Sequence, residues 1–331
     1  MAVMPPGMPQ CFNSVCSCAC SMVWERVISL IWPPPRACPN YPAEEPSTPR
    51  VLKKEWRSPR IAKGEPHRGW EALVAHDGVR WLHPGDGWLP PLVEVPLDLN
   101  VGEEEFRALV KPPSVEALWE WYEERGQWSA DPSWAQVWPC SAALAELVAA
   151  DPRSVRDLRV AELGAGLALA GLTAALAGAR DVLLLDREPL ALHCAASSAS
   201  LQQLPVASVN DETADVRAVR AAVFDWAAPQ QFNVAMDVVL ASEVLYDPRE
   251  ASEVATAALR LLRGKQNLPL HHRRVLVTDP RTERMAGARE ALAAALRKAG
   301  ASVEIRQVPT PNLGEGLADQ EDVVLIDARW D

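Results

Sequence analysis

Short, uninterrupted hydrophobic runs alternate with longer segments rich in Ala and Leu from about residue 113 onward. A strand covered by helices on both faces needs apolar side chains at successive positions, as these runs provide. Repetition of strand and helix predicts a parallel sheet with helices on both sides. The runs that predict strands are 158–161, 182–185, 238–241, 275–277 and 323–326, and the segments that predict helices are 168–178, 189–204, 250–263 and 285–300.

Two further helices are predicted ahead of the first of these strands. The segment SVEALWEWYEE has Ser114 at the position of an N-cap, where a hydroxyl can accept a backbone N–H. The second helix corresponds to CSAALAELVAA and begins at Cys140. We therefore assign residues 113–331 to one α/β domain.

The chain before residue 113 has a different pattern. Residues 51–112 alternate short apolar runs with Asp-Gly turns, and 75–79 read as a hairpin, which predicts a small β-rich extension. Residues 1–50 are rich in Pro, Cys and Ser and predict a disordered tail or a targeting segment. We expect a cytoplasmic protein, or one of a plastid or mitochondrion if residues 1–50 are a transit segment.

Composition narrows the range of partners. The 331 residues carry a net charge of −11, with 44 acidic and 33 basic side chains, so the strongly basic surface of a nucleic-acid-binding protein is not expected. No stretch of 18 uninterrupted apolar residues predicts a membrane span. Cys16, Cys18 and Cys20 lack the paired spacing of a zinc site. We therefore expect no nucleic acid, membrane or metal, and a monomer.

The first predicted strand runs into a glycine-containing loop. Gly164, Ala165 and Gly166 follow it, with Glu162 at the strand end. Glycines there let a ligand approach the backbone, as in dinucleotide-binding domains. A third glycine three residues on would fit a pyrophosphate, but that residue is Leu169. The carboxylate of Glu162 would repel a pyrophosphate and attract the ammonium group of S-adenosylmethionine, directly or through water.

Two later strand ends supply further candidate ligands for a nucleoside. Asp186 ends the second strand, where an acid is placed to accept both ribose hydroxyls. Asp225 can accept from an adenine amino group, and the neighbouring Trp226 offers a flat face to the ring. With the glycine loop, these residues predict an S-adenosylmethionine site.

Several segments resemble the family-16 methyltransferase-like proteins in sequence and in order. They are VWPCSAALAELV, VAELGAGLALAGL, VLLLDREPLAL, FDW and VVLASEVLYDP, within residues 115–327. The segment from 131 to 166 looks most similar to the group that methylates lysine in the electron-transfer flavoprotein β subunit. The resemblance implies a Rossmann-like, seven-stranded class I methyltransferase sheet with helices on both faces.

The resemblance also implies roles for individual residues. The family binds its cofactor through the Trp of a WP motif, here Trp138, and through the glycine loop and the strand-two acid. Ser242, which directly precedes the acid after strand four, is a further expected cofactor residue. Ala168 stands where a third loop glycine is common. The family's Asp-x-x-Tyr motif corresponds to Glu243 and Tyr246, with Glu in place of Asp, and one helical turn would put both on the same side.

These features predict an S-adenosylmethionine-dependent methyltransferase that acts on a protein side chain, for which we expect lysine. Glu243 would orient the incoming ammonium, and Tyr246 would line its channel. Two alternatives remain at this stage: a small-molecule methyltransferase on the same fold, and an inactive cofactor-binding protein that serves as a partner. The sequence does not name the protein substrate.

Overall fold

The fold is that of a computed structural model, which describes residues 89–128, 130–207, 217–227, 235–314 and 322–331. The predicted tail at 1–50 and the predicted hairpin at 75–79 lie outside these ranges, as does the extension before residue 89. The helices are α1 (Val115–Glu123), α2 (Pro139–Ala150), α3 (Leu169–Leu176), α4 (Pro189–Leu201), α5 (Pro248–Arg263) and α6 (Ala288–Lys298).

Twelve strands occur in the described part of the chain. They are β1 (Val93–Pro96), β2 (Asn100–Val101), β3 (Glu104–Glu105), β4 (Ala108–Lys111), β5 (Arg159–Leu163), β6 (Asp181–Asp186), β7 (Val206–Ala207), β8 (Ala218–Val223), β9 (Val238–Ser242), β10 (Arg274–Pro280), β11 (Ser302–Val308) and β12 (Val323–Arg329).

The central sheet has eight strands in the order β11-β12-β10-β9-β5-β6-β8-β7. Seven of them form the class I methyltransferase sheet, as expected, and the two-residue β7 extends it at one edge. The sheet is mainly parallel, and β12 is the exception to the predicted parallel arrangement because it runs antiparallel to β10 and β11. No helix occurs among the described residues between β11 and β12, and a parallel connection would need such a crossover.

Apolar residues fill the space on both faces of the sheet. One core layer packs α2, α3 and α4 against it, and the other packs α5 and α6. Val160 of β5 belongs to the first layer, and its neighbours Ala161 and Leu163 belong to the second. Burial on both faces explains why the central strands are continuous hydrophobic runs.

The described part of the extension packs onto the methyltransferase core through helix α4. Strands β1 and β4 pair antiparallel. The hydroxyl of Ser198 accepts the N–H of Val110 at 2.8 Å, and the amide of Gln202 donates to the Ala108 carbonyl at 2.8 Å. Side chains of α4 thus satisfy the backbone of an edge strand. The predicted cap is also present, since Ser114 Oγ accepts the N–H of Ala117.

Candidate active site

The predicted site residues gather at one edge of the sheet. Strands β6, β5 and β9 are parallel neighbours, so their carboxyl ends meet there. In the sheet, β6 and then β8 lie on one side of β5, and β9 and then β10 lie on its other side. The chain fills the first side before it crosses to the second. Ligands of open α/β sheets bind where the strand order reverses in this way. The loops after β5 and β9 flank that point.

Gly164 brings the cofactor loop against two other parts of the site. Its φ is +63°, and a Cβ there would lie 2.7 Å from Val244 Cγ1 and 3.4 Å from the ring of Trp226. Only glycine combines that backbone angle with so little space. Gly166 also has a positive φ, of 50°. The structure therefore joins the glycine loop, the tryptophan after β8 and the motif after β9 in one place.

Asp186 is held in a fixed orientation at the end of β6. Its Oδ2 accepts the N–H of Gly166 at 2.7 Å, and its Oδ1 accepts the N–H of Glu188 at 2.8 Å. Burial raises the pKa of Asp186, and these N–H groups oppose the rise. A carboxylate oxygen can accept more than one hydrogen bond. The arrangement fits the expected partner of the ribose hydroxyls.

Glu162 lies deeper than the sequence indicates. Its side chain is buried and accepts the N–H of Gly171, in helix α3, at 2.8 Å. Burial raises the pKa of Glu162 to about 8. The sequence analysis expected this carboxylate to face the cofactor, but the structure places it beneath the first turns of α3, where it orients the helix that follows the glycine loop.

Among the remaining candidate cofactor residues, Trp226 contacts the glycine loop. Trp226 is partly buried against Gly164, whereas Asp225 is exposed and its Oδ1 accepts the N–H of Ala227 at 2.9 Å. Trp138 caps helix α2 and donates from Nε1 to the carbonyl of Ser133 at 3.0 Å. Ser242 is the last residue of β9, and Ala165 lies in the loop after β5, as the sequence predicts.

Glu243 and Tyr246 face a common neighbour. Residues 243–246 do not form the helical turn that the spacing suggested, and α5 begins only at Pro248. Instead, Glu243 has a left-handed backbone with φ +59°. Its side chain is only 10% exposed and pairs with Arg284, whose guanidinium carbon lies 4.9 Å from the Tyr246 ring centroid. Burial raises the pKa of Glu243 despite this cation.

Two residues of the site escaped the sequence analysis. Arg284 lies in the loop after β10, within the segment VLVTDPRTERMAGARE, which resembles the strand-five region of the family but in which the sequence predicted no site residue. Gly171 lies inside α3, where an added Cβ would come within 2.5 Å of Leu184 Cδ2 and 2.6 Å of Glu162 Oε2. An isolated glycine within a helix-forming segment is a signal of close packing that could have identified it.

Part of the chain matches a known protein family. Residues 125–281 match the model of a family described as lysine methyltransferase. The match supports the resemblance to methyltransferase-like family 16. The match spans the glycine loop, Asp186 and the Glu243 motif, and S-adenosylmethionine is the cofactor of the family. Three features of the site fit that cofactor: the close packing around Gly164, the hydrogen-bonded carboxylate of Asp186 and the partly buried ring of Trp226.

Two curated proteins that are similar to this chain are named for different methylated residues. The electron transfer flavoprotein beta subunit lysine methyltransferase of Rattus norvegicus is 35% identical over 72 residues, covering 22% of this chain and 28% of that protein. The human histone-arginine methyltransferase METTL23 is 28% identical over 138 residues, covering 40% of this chain and 66% of that protein. The chain thus spans about a quarter of the first relative's length.

Solved structures with similar folds include other methyltransferases. Magnesium protoporphyrin IX methyltransferase from Synechocystis, with SAH bound, has a TM-score of 0.38 at 16% identity, over 57% of this chain and 82% of that one. A TehB-like SAM-dependent methyltransferase from Corynebacterium glutamicum has a TM-score of 0.39 at 14% identity, over 65% and 100%.

No helix in the described ranges has the length and apolar character that crossing a bilayer requires. In the same ranges, His, Cys, Asp and Glu side chains form no group suited to hold a metal ion.

Proposed function

We propose that this protein is an S-adenosylmethionine-dependent methyltransferase that methylates a lysine side chain of another protein. The observation that carries the proposal is the position of Glu243, a largely buried carboxylate that directly follows β9 and precedes Val244, which packs against Gly164 of the glycine loop. A buried carboxylate binds a cationic side chain far better than a neutral one. Tyr246, which is 40% exposed, offers an aromatic wall beside it.

The bound cofactor would supply a methyl group on a positively charged sulfur. In the transfer a nitrogen–carbon bond forms as the sulfur–carbon bond breaks, so nitrogen, carbon and sulfur must be aligned. An ammonium group has no free electron pair and must first lose a proton, which passes to water. Glu243 would hold the ammonium in line and favour its approach. Asp186 and Trp226 would hold the nucleoside, and α3, oriented by Glu162, would position the glycine loop.

Arginine is the second candidate for the methylated residue. Glu243 already binds a guanidinium group, that of Arg284, so the site matches the geometry of that cation. The similarity to a histone-arginine methyltransferase also covers more of this chain than the similarity to the lysine methyltransferase. Both candidates are cationic protein side chains, and the same experiment separates them.

The test is incubation of the protein with methyl-labelled S-adenosylmethionine and a cell lysate. Labelled protein bands are then hydrolysed, and the methylated amino acid is identified by chromatography. We expect methyl-lysine, and methyl-arginine would establish the second candidate. Glu243→Gln is the matched control and should label no band. Label found only in small metabolites, or binding of S-adenosylhomocysteine without any transfer, would contradict the proposal.

A further inference from the structure

Arg284 contacts both residues to which the proposed function assigns the substrate side chain. One of its terminal nitrogens donates to Oε1 of Glu243, and its guanidinium group lies over the ring of Tyr246. A charge-assisted hydrogen bond combined with a cation–π contact is also the way a protein recognises a lysine or arginine side chain. The cation subsite, defined as Glu243 and Tyr246, is therefore occupied by a side chain of the protein itself.

The loop that carries Arg284 is anchored on either side of it. Arg289 donates to the carbonyl oxygens of Pro280 and Arg281, and Glu283 accepts the N–H groups of Gly287 and Arg289. None of these bonds involves the Arg284 side chain, which is 37% exposed. That side chain can therefore turn toward water without breaking the bonds that shape the loop.

Charge balance makes the exchange of one cation for another favourable. Two other carboxylates near the subsite are already paired: Asp279 with Arg289 at 2.6 Å and Asp131 with Arg187 at 3.4 Å. The second oxygen of Glu243 is buried and accepts no hydrogen bond from the described residues, although the thiol of Cys140 lies close to the carboxylate. If Arg284 left, a buried carboxylate would remain without a counter-charge, which is strongly unfavourable. An incoming cation would restore the balance, whereas a neutral side chain would not.

We propose that Arg284 is an internal stand-in for the substrate: it closes the cation subsite, and the cationic side chain of the substrate enters by displacing it. The inference rests on the proposed function, which gives the subsite to a substrate cation. Displacement makes Arg284 a specificity-determining residue, because a side chain that cannot replace its charge cannot enter. It also lowers the apparent affinity for the substrate, since only the fraction of molecules with an open subsite can bind.

The test measures binding of small cations in the absence of any methyl transfer. Calorimetric titrations with n-butylguanidinium and n-butylammonium at pH 8.5 compare the wild type with Arg284→Gln, which keeps a polar but shorter side chain and removes the charge. We expect at least one probe to bind Arg284→Gln tenfold or more tightly than the wild type. The probe that gains more identifies which cation the subsite prefers.

Two further variants make the result specific. Arg281→Gln removes a neighbouring charge from the same loop, and its affinity for the probes should stay at the wild-type level. The double variant with Arg284→Gln and Glu243→Gln should not show the increased affinity for the probes. The inference is overturned if Arg284→Gln, folded and binding S-adenosylhomocysteine normally, gains no affinity for either probe. Because the probes accept no methyl group in this assay, that outcome is separate from a failure to methylate any protein.

Discussion

The carboxylate of Glu162 accepts the backbone N–H of Gly171, which lies nine residues further along the chain, in helix α3, at 2.8 Å. The contact is possible because residue 171 has no side chain, since a Cβ would come within 2.6 Å of the same oxygen. The glycine loop lies between these residues. The carboxylate thus fixes the distance between the end of β5 and the helix, and with it the shape of the loop.

We expect Glu162→Gln to change how stability depends on pH. The pKa of Glu162 is raised to about 8 in the folded protein, so the folded state keeps a proton that the unfolded state releases near pH 4.5. The free energy of unfolding of the wild type should therefore fall as pH rises from about 4.5 to 8. Glutamine cannot titrate, so the variant should not show this decrease. The decrease in the free energy of unfolding that is absent should be on the order of a few kcal/mol.

Urea denaturation of the ligand-free proteins at pH 5 and pH 8 measures this difference. Any pH-independent effect of the amide shifts both values equally and leaves the difference unchanged. Glu146→Gln, at an exposed position of α2, is the control and should follow the wild type. Equal pH dependence of Glu162→Gln and wild type would mean that Glu162 is ionised in the folded state.

Ala168→Gly should be neutral or stabilising although the residue is fully buried. Ala168 precedes α3 with φ +59°, a left-handed conformation that costs a non-glycine residue about 1–2 kcal/mol. Substitution by glycine relieves that strain. It also lowers the free energy of unfolding by about 0.4–1 kcal/mol, because glycine gives the unfolded chain more conformational freedom. Ala174→Gly, in the interior of the same helix, has no strain to relieve and should lose about 1 kcal/mol or more. Thermal unfolding of both variants is the measurement, and equal destabilisation would contradict the account.

The sequence predicts the central strands and helices well because burial on both faces leaves a simple pattern. It fails at β11, whose residues alternate between apolar and polar and lie mostly exposed at the edge of the sheet. A search for uninterrupted apolar runs cannot find such a strand. The direction of β12 was also missed, because it depends on a connection rather than on the composition of the strand.

The sequence predicts the part of the candidate site that lies at the ends of the central strands. Sequence order places Gly164, Asp186 and Glu243 at strand ends, and the parallel sheet brings those ends together. Contacts that depend on the direction of a side chain do not follow from the order of residues in the sequence. The pairing of Glu243 with Arg284 joins residues 41 positions apart, and the burial of Glu162 depends on an unremarked glycine in the next helix.

Asp186→Ala should weaken binding of S-adenosylhomocysteine by about 1.5–3 kcal/mol, roughly 10- to 100-fold, because charge-assisted bonds to the ribose hydroxyls are lost. Calorimetric titration measures the affinity. The variant also loses the acceptor of the Gly166 N–H, so its melting temperature must be measured alongside. Glu146→Ala removes an acid from an exposed helix surface and should bind as the wild type does. Unchanged affinity in a folded Asp186→Ala protein would remove this residue from the cofactor site.

Glu243→Gln should separate binding of the cofactor from transfer of its methyl group. Glutamine has nearly the same shape as glutamate, so the packing after β9 and the approach of Val244 to Gly164 should remain. Affinity for S-adenosylmethionine should then stay within a few fold of the wild type. The negative charge that orients the incoming cation is lost, and we expect the single-turnover rate with the methylated protein to fall by 100-fold or more, since alignment of the reacting atoms depends on it.

Glu243→Asp gives the matched comparison, since it keeps the charge and moves it back by about one bond length. The wild-type residue is Glu where the family has Asp, so the distance of the carboxylate from the backbone is specific to this chain. We expect Glu243→Asp to bind the cofactor normally and to react at a rate between those of Glu243→Gln and the wild type, because the charge persists while the nucleophile is misplaced. A wild-type rate for Glu243→Gln would show that the charge plays no part in transfer, and the substrate cation would then have to be held elsewhere.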